Sequence, residues 1–177
     1  RLPTQWVNYL NNFCEECWVP SSYCADTWIR SGVKKPIFVI KHALDTEEYY
    51  KDLDGPKWPI ENLAEDAYVF YSIFQWSERK NPSVFIEAYL REFNLSDKVA
   101  LVLKTYYKDF SQNDTRILRS IIGSIKERVK KINAPKIYLI HGSLDRDQLN
   151  TIHLRGDCFL SSFRSEGVGL PLVEAAL

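Results

Sequence analysis

The chain has 177 residues, 45% hydrophobic, 26% charged and 14% aromatic, which excludes a disordered or low-complexity polymer. Lys plus Arg and Asp plus Glu are equal at 23 each, so no net field draws the chain to nucleic acid or anionic lipid, and any phosphate must be met by placed groups. The uncharged run at 67–77 is far short of the ~20 apolar residues of a membrane helix, and the N-terminus shows no basic-then-apolar signal pattern. A cytoplasmic chain with no transmembrane segment is the expectation.

In chain order, residues 9–13 close a helical stretch, and CEECWVP (14–20) reads as a strand with its loop. Ser21 then caps a helix through Arg30, its hydroxyl taking an orphan N–H of the first turn, and Gly32 ends that helix as a left-handed cap. PIFVI (36–40) is the next β-rich run. Residues 46–66 are acidic, hold Gly55, Pro56 and Pro59 and show no sustained period, so they are expected to link a unit at 1–45 to one at 67–177. Strand-like runs at 67–74, 99–104, 137–141 and 157–162 then alternate with helical stretches at 82–93, 113–131 and 146–155. Short apolar strands separated by helices give an α/β class with a parallel sheet covered on both faces, and ligands then sit beyond the carboxyl ends of the strands.

The stretch FLSSFRSEGVGLPLVEAA (159–176) carries the most chemistry. A buried strand runs into a loop with Gly167 and Gly169, and Pro171 is expected as the first residue of a helix, where its missing N–H costs nothing. The amides of Gly167, Val168, Gly169 and Leu170 then face a ligand, and the glycines allow close approach to phosphate or sugar oxygens. Glu166 and Glu174, eight positions apart, can accept hydroxyl hydrogen bonds from a polyhydroxy ligand. The plain alternative is a strand-turn-helix junction whose carboxylates only complement the helix dipole.

SEGVGLPLVEAA resembles the signature of the GT-B-fold retaining glycosyltransferases of family 4, two glutamates separated by seven residues around a Gly-x-Gly-x-Pro turn. The likeness extends over most of the chain. IYLIHGSLDRDQLNTIHLRGDCFLSSFRSEG resembles the units before that motif, and IFQWSERKNPSVFIEAYL the first strand and loop of the family's C-terminal domain. CWVPSSYCADTWIRSGV and IFVIKHALD are similar to the last units of its N-terminal domain. The resemblance implies that Glu166 lies against a donor sugar and Glu174 binds the nucleotide ribose, with the amides of 167–170 facing sugar and diphosphate. It gives the basic pair that meets the diphosphate as Arg79 and Lys80 of WSERKNP; an Arg fork and a Lys point charge there would neutralise the leaving group as its charge grows. Lys104, at the end of VALVLK, is a further candidate cation, and Gly142 and Leu144, following His141, fall where the family places its base pocket.

Other chemistry is thin. Cys14 and Cys17 form one C-x-x-C with no second pair, and Cys24 and Cys158 stand alone, which points to reduced structural thiols rather than zinc or redox work. His42 matches a Pro-His-Gly position of the family, but Lys41 and Ala43 replace its neighbours; His153 is expected to be exposed on its helix. The resemblance implies no cofactor and no bound divalent ion, and no Asp-x-Asp metal motif occurs. The expected protein moves a sugar from a nucleotide-diphosphate-sugar donor to an unidentified acceptor with retention of configuration. A GT-B nucleotide-sugar epimerase and a non-catalytic nucleotide-sugar-binding module are the alternatives. The chain lacks Met, begins at Arg1 and stops at Leu177 inside what reads as a helix, so it is expected to be a piece of a longer polypeptide, inactive alone and prone to self-association.

Overall fold

Helices and short parallel strands alternate through a computed structural model that describes residues 1–44, 46, 60 and 62–177. Two compact units are present, Arg1–Asp45 and Thr46–Leu177. In the first, helix α1 (Thr4–Phe13) precedes strand β1 (Cys17–Val19), and helix α2 (Ser22–Ser31) precedes strand β2 (Ile37–Val39). The Ser21 hydroxyl accepts the Cys24 N–H at 3.2 Å, and Gly32 closes α2 at φ 99°, a conformation that favours glycine. β1 and β2 pair in parallel, with Cys17 opposite Ile37, over a small core of Val7, Cys17 and Val33. Burial, then neighbouring Cys14, pushes the Cys17 thiol up, as befits an inert structural cysteine. All four cysteines are unpaired.

The second unit is built on a four-stranded parallel sheet of order β5-β4-β3-β6. Its strands are β3 (Tyr68–Gln75), β4 (Val99–Tyr106), β5 (Lys136–Ile140) and β6 (Cys158–Phe159), and its helices α3 (Pro82–Glu92), α4 (Gln112–Val129), α5 (Arg146–Arg155) and α6 (Leu170–Glu174). Successive side chains of a strand point to opposite faces, so β3 and β4 feed two cores. Phe74, Leu101 and Leu103 pack with Ile86 and Leu90 of α3 and with Leu118, Ile122 and Ile125 of α4. Val69, Tyr71 and Val102 pack on the other side with Ile140 of β5 and Ile152 of α5. Side chains as fully buried as Ile86, Leu101, Leu103 and Ile152 each contribute about 1.5–3 kcal/mol by leaving water. Both faces are therefore covered, as a parallel sheet requires.

Local chemistry sets the helix starts. Ser111 accepts the Asp114 N–H at 3.1 Å to open α4, and Asp145 with Gln148 forms a reciprocal capping box at α5. Of the segment expected to link the units, Thr46, Ile60 and 62–66 are described and the rest lies outside the described residues. Ile60 and Leu63 pack against the α5-side core. Two expectations are corrected. The strand at 157–162 pairs only at Cys158–Phe159, because the chain beyond it turns its polar groups toward the loop after β3. The last helix ends at Glu174 after five residues, with Gly169 at its N-cap (φ 70°) and Pro171 second rather than first, so it brings little more than one turn of dipole.

Candidate functional site

A cleft of about 400 Å³ opens where β3, β4 and β5 reach their carboxyl ends. Arg79 and Lys80, Lys104 and Tyr106, Phe110, Leu144 and Pro171 line it, so residues predicted from four separate segments meet here. The first unit has a larger groove, about 570 Å³, lined by Leu2, Gln5, Trp6, Tyr9, Leu10 and Trp28, and none of these carries a charge.

Arg79 and Lys80 stand on the loop between β3 and α3. That loop ends at Asn81, in the left-handed region (φ 49°), before Pro82 starts the helix. It is strapped to the loop after β6. The Arg164 N–H donates to the Arg79 carbonyl at 2.9 Å, the Ser162 hydroxyl to the Asn81 carbonyl at 2.6 Å, and an Arg79 guanidinium N–H to the Ser165 carbonyl at 2.7 Å. These bonds bring Glu166 to the basic pair. Arg79 donates to its Oε1, and Lys80 Nζ lies 2.5 Å from the same oxygen. Lys80 is buried, with its ammonium 4.0 Å from the centre of the Phe163 ring, a cation–π arrangement. Burial pushes the Glu166 carboxyl up, but the bonds from Lys80 and Arg79 outweigh it and hold the group below its ordinary pKa.

Lys104 points inward from β4 and is 7% exposed. Its ammonium donates to the Gly142 carbonyl and lies 5.5 Å from the centre of the Phe110 ring. Burial pushes its pKa down. Gly142 follows β5 at φ 113°, a conformation an L side chain rarely adopts, and Leu144 just beyond it forms part of the cleft wall. Arg79, Lys80 and Lys104 thus give the cleft wall a positive charge, with Glu166 paired to the first two.

The carboxylates of Glu166 and Glu174 have separate partners. Glu174 Oε1 accepts from Arg146 at 2.9 Å, and Oε2 lies 3.6 Å from His153 Nε2. His153 is corrected from an exposed residue to a largely covered one, its side chain 10% exposed, because Tyr71 of β3 reaches it with a hydroxyl 3.1 Å from Nδ1 and a ring set edge-on. Gly169 is buried, whereas Gly167, Val168 and Leu170 are exposed; the amides of all four donate no hydrogen bond among the described residues.

Two supporting groups went unpredicted. Arg146 is one. Asp114 is the other: it accepts the N–H groups of Tyr107 and Lys108 at 2.8 Å each and faces His141 Nε2 at 3.1 Å. Burial opposes ionisation of Asp114, but those bonds prevail and hold it at about 2. His141 Nδ1 meets the Thr115 hydroxyl at 2.8 Å, so Asp114 ties the β4–α4 loop, which carries Phe110, to the end of β5. The signal in the sequence was Ser111-x-x-Asp114, a capping pattern. Among the described residues no group of three or more His, Cys, Asp and Glu is arranged to hold a metal ion, and no helix is long and apolar enough to cross a membrane.

No family model and no curated protein matches the chain. Solved structures do. Trehalose-6-phosphate synthase OtsA matches with TM-score 0.69 at 14% identity, over 97% of this chain and 45% of that one. Anabaena HepE in complex with UDP and glucose matches with TM-score 0.65 at 14% identity, over 97% and 44%. Sucrose-phosphate synthase from Thermosynechococcus elongatus matches with TM-score 0.67 at 15% identity, over 96% and 40%. The chain spans less than half the length of these structures. Its α/β architecture with parallel sheets is the GT-B glycosyltransferase fold.

Proposed function

We propose that the protein is a retaining glycosyltransferase of family 4 type whose C-terminal unit binds a nucleoside-diphosphate sugar. The carrying observation is the Arg79–Lys80–Glu166 cluster beside the cleft at the strand ends. In this reading Arg79 and Lys80 take the diphosphate and stabilise the charge that grows on it as the glycosidic bond breaks. Lys104 adds a third cation from the cleft wall. Glu166, on the adjoining loop, accepts hydroxyl bonds from the donor sugar and orients it for attack on the face the diphosphate leaves. The amides of 167–170 face sugar and diphosphate, Glu174 takes the ribose hydroxyls, and Gly142 with Leu144 borders the base.

Several solved neighbours are bound to UDP or a UDP-sugar, which makes uridine the first base to test here. The acceptor, a glycan, lipid or protein, is assigned to the first unit. No divalent ion has a role in this scheme, and the free cysteines suit a cytoplasmic setting.

Calorimetric titration of the chain with UDP, GDP and ADP, with and without magnesium, tests the reading. Saturable binding of one nucleotide, independent of magnesium and lost in an Arg79→Ala/Lys80→Ala variant, is expected. A folded chain that binds none of the three overturns the donor-site assignment.

A further inference from the structure

We propose that the Tyr71–His153 pair is a positioning device for Glu174, fixing how its carboxylate is presented to the ribose hydroxyls of a nucleoside diphosphate. The inference rests on the donor-site reading above. It begins with a chain of three side chains from three elements, Tyr71 on β3, His153 on α5 and Glu174 on α6. Tyr71 is 3% exposed, wedged between the His153 and Phe159 rings, both edge-on to it at 5.6 and 5.3 Å.

The contacts assign the protons. Tyr71 is held in its protonated form, since burial, then nearby Cys158, pushes the phenol up to about 12. Its O–H donates to His153 Nδ1 at 3.1 Å, which puts the single proton of the neutral imidazole on Nε2. Nε2 is buried, makes no hydrogen bond among the described residues, and lies 3.6 Å from Glu174 Oε2. A buried donor without an acceptor is a cost that an approaching acceptor removes. A shift of several tenths of an ångström by the carboxylate would bring it to ordinary N–H···O distance.

Glu174 is the acceptor placed to make that shift. Arg146 holds Oε1 from the first turn of α5, so the carboxylate can pivot toward His153 without losing its ion pair. An ionised carboxylate has about four lone-pair directions, so it can accept from more than one donor at once. The charged groups facing His153 are Glu174 from α6 and Arg146 from its own helix, with Tyr71 the titratable group from β3. Burial is the main cause holding the imidazole below its ordinary pKa, so His153 acts as a neutral donor near pH 7.

The test compares UDP with 2′,3′-dideoxy-UDP by calorimetry, because only the ribose hydroxyls differ. The unaltered chain is expected to prefer UDP by at least about tenfold. His153→Phe is expected to shrink that preference to within about twofold while leaving dideoxy-UDP affinity unchanged, and His153→Gln, which keeps a donor, to restore part of it. A His153→Phe variant that keeps the full preference overturns the inference while sparing the donor-site reading. An unaltered chain that binds neither nucleotide overturns the donor-site reading, and one that binds both equally overturns the ribose assignment; in either case the inference goes too. Nitrogen NMR of the imidazole gives a ligand-free check: the proton is expected on Nε2, with Glu174→Gln lowering the His153 pKa further. A proton on Nδ1, or no response to Glu174→Gln, overturns the device.

Discussion

Lys80 Nζ lies 2.5 Å from Glu166 Oε1, and Arg79 donates to that same oxygen, so without a ligand one carboxylate occupies the pair of cations assigned to the diphosphate. A phosphate must displace it or share the cations with it. Displacement would leave Glu166 accepting from donors other than the basic pair, such as sugar hydroxyls.

Replacing Glu166 with Gln should therefore separate two effects. Inorganic pyrophosphate affinity, read by calorimetry, is expected to rise about three- to fivefold, the worth of one partly exposed ion pair. Glycosyl transfer by the whole enzyme is expected to fall, because the acceptor for sugar hydroxyls is gone. Unchanged pyrophosphate affinity would mean that Glu166 does not compete for the site.

Lys104 makes the cleft sensitive to alkali. Burial lowers its pKa, so its charge is lost below the ordinary lysine value of about 10.4 as pH rises. Nucleotide affinity should fall over that range in the unaltered chain and stay flat there in Lys104→Gln, apart from limbs common to both. Folding stability should move the other way. The fold disfavours the charged form, so deprotonation at rising pH relieves the burial cost. Titrations and melts across pH 8–10 check the two opposite slopes.

Asp114 has the reverse sign. Its native pKa of about 2 lies below the ordinary carboxylate value of about 3.9, so its stabilising contribution is complete above about pH 4 and is lost as pH falls toward 2. Asp114→Asn should lower Tm by several degrees at pH 7 and flatten the melting curve's dependence on pH between 4 and 2. An unchanged acid profile would show that its bonds to Tyr107, Lys108 and His141 do not anchor the loop.

Gly156 has φ −75°, within reach of any residue, yet a Cβ there would meet the Tyr71 ring at 2.3 Å. Gly156→Ala should cost about 1–3 kcal/mol in denaturant unfolding through overpacking. It should also disturb the Tyr71–His153 bond, so its effect on the preference for UDP over the dideoxy nucleotide should resemble that of His153→Phe.

The strands were legible because each is a short apolar run bounded by polar or turn residues. The starts at Ser21 and Asp145 are written in local side chains, since a cap involves residues within one turn. The basic loop and the glycine turn could be found by resemblance, but not the bond that joins them. Arg79 and Glu166 are 87 positions apart, and only the pairing of β6 beside β3 makes them neighbours. His153 misled for the same reason. The residue that covers it, Tyr71, comes 82 positions earlier on another element. Arg146 went unassigned because the start of α5 shows a capping pattern but not the carboxylate that α6 brings to it.

The shortest strand carries the longest-range consequence. β6 meets β3 through only two residue pairs, Phe70 with Cys158 and Tyr71 with Phe159, whereas β3 and β4 pair along eight. Its loop nevertheless presents Glu166 and leads into the helix that carries Glu174. This edge is expected to open while the three longer strands stay zipped, so the proposed binding would be lost before the domain melts. A nucleotide touching both sides of that seam would act as a clasp, slowing amide exchange at 158–166 far more than in the β4 interior. The temperature up to which the site holds together would then be set by nucleotide concentration as much as by the core.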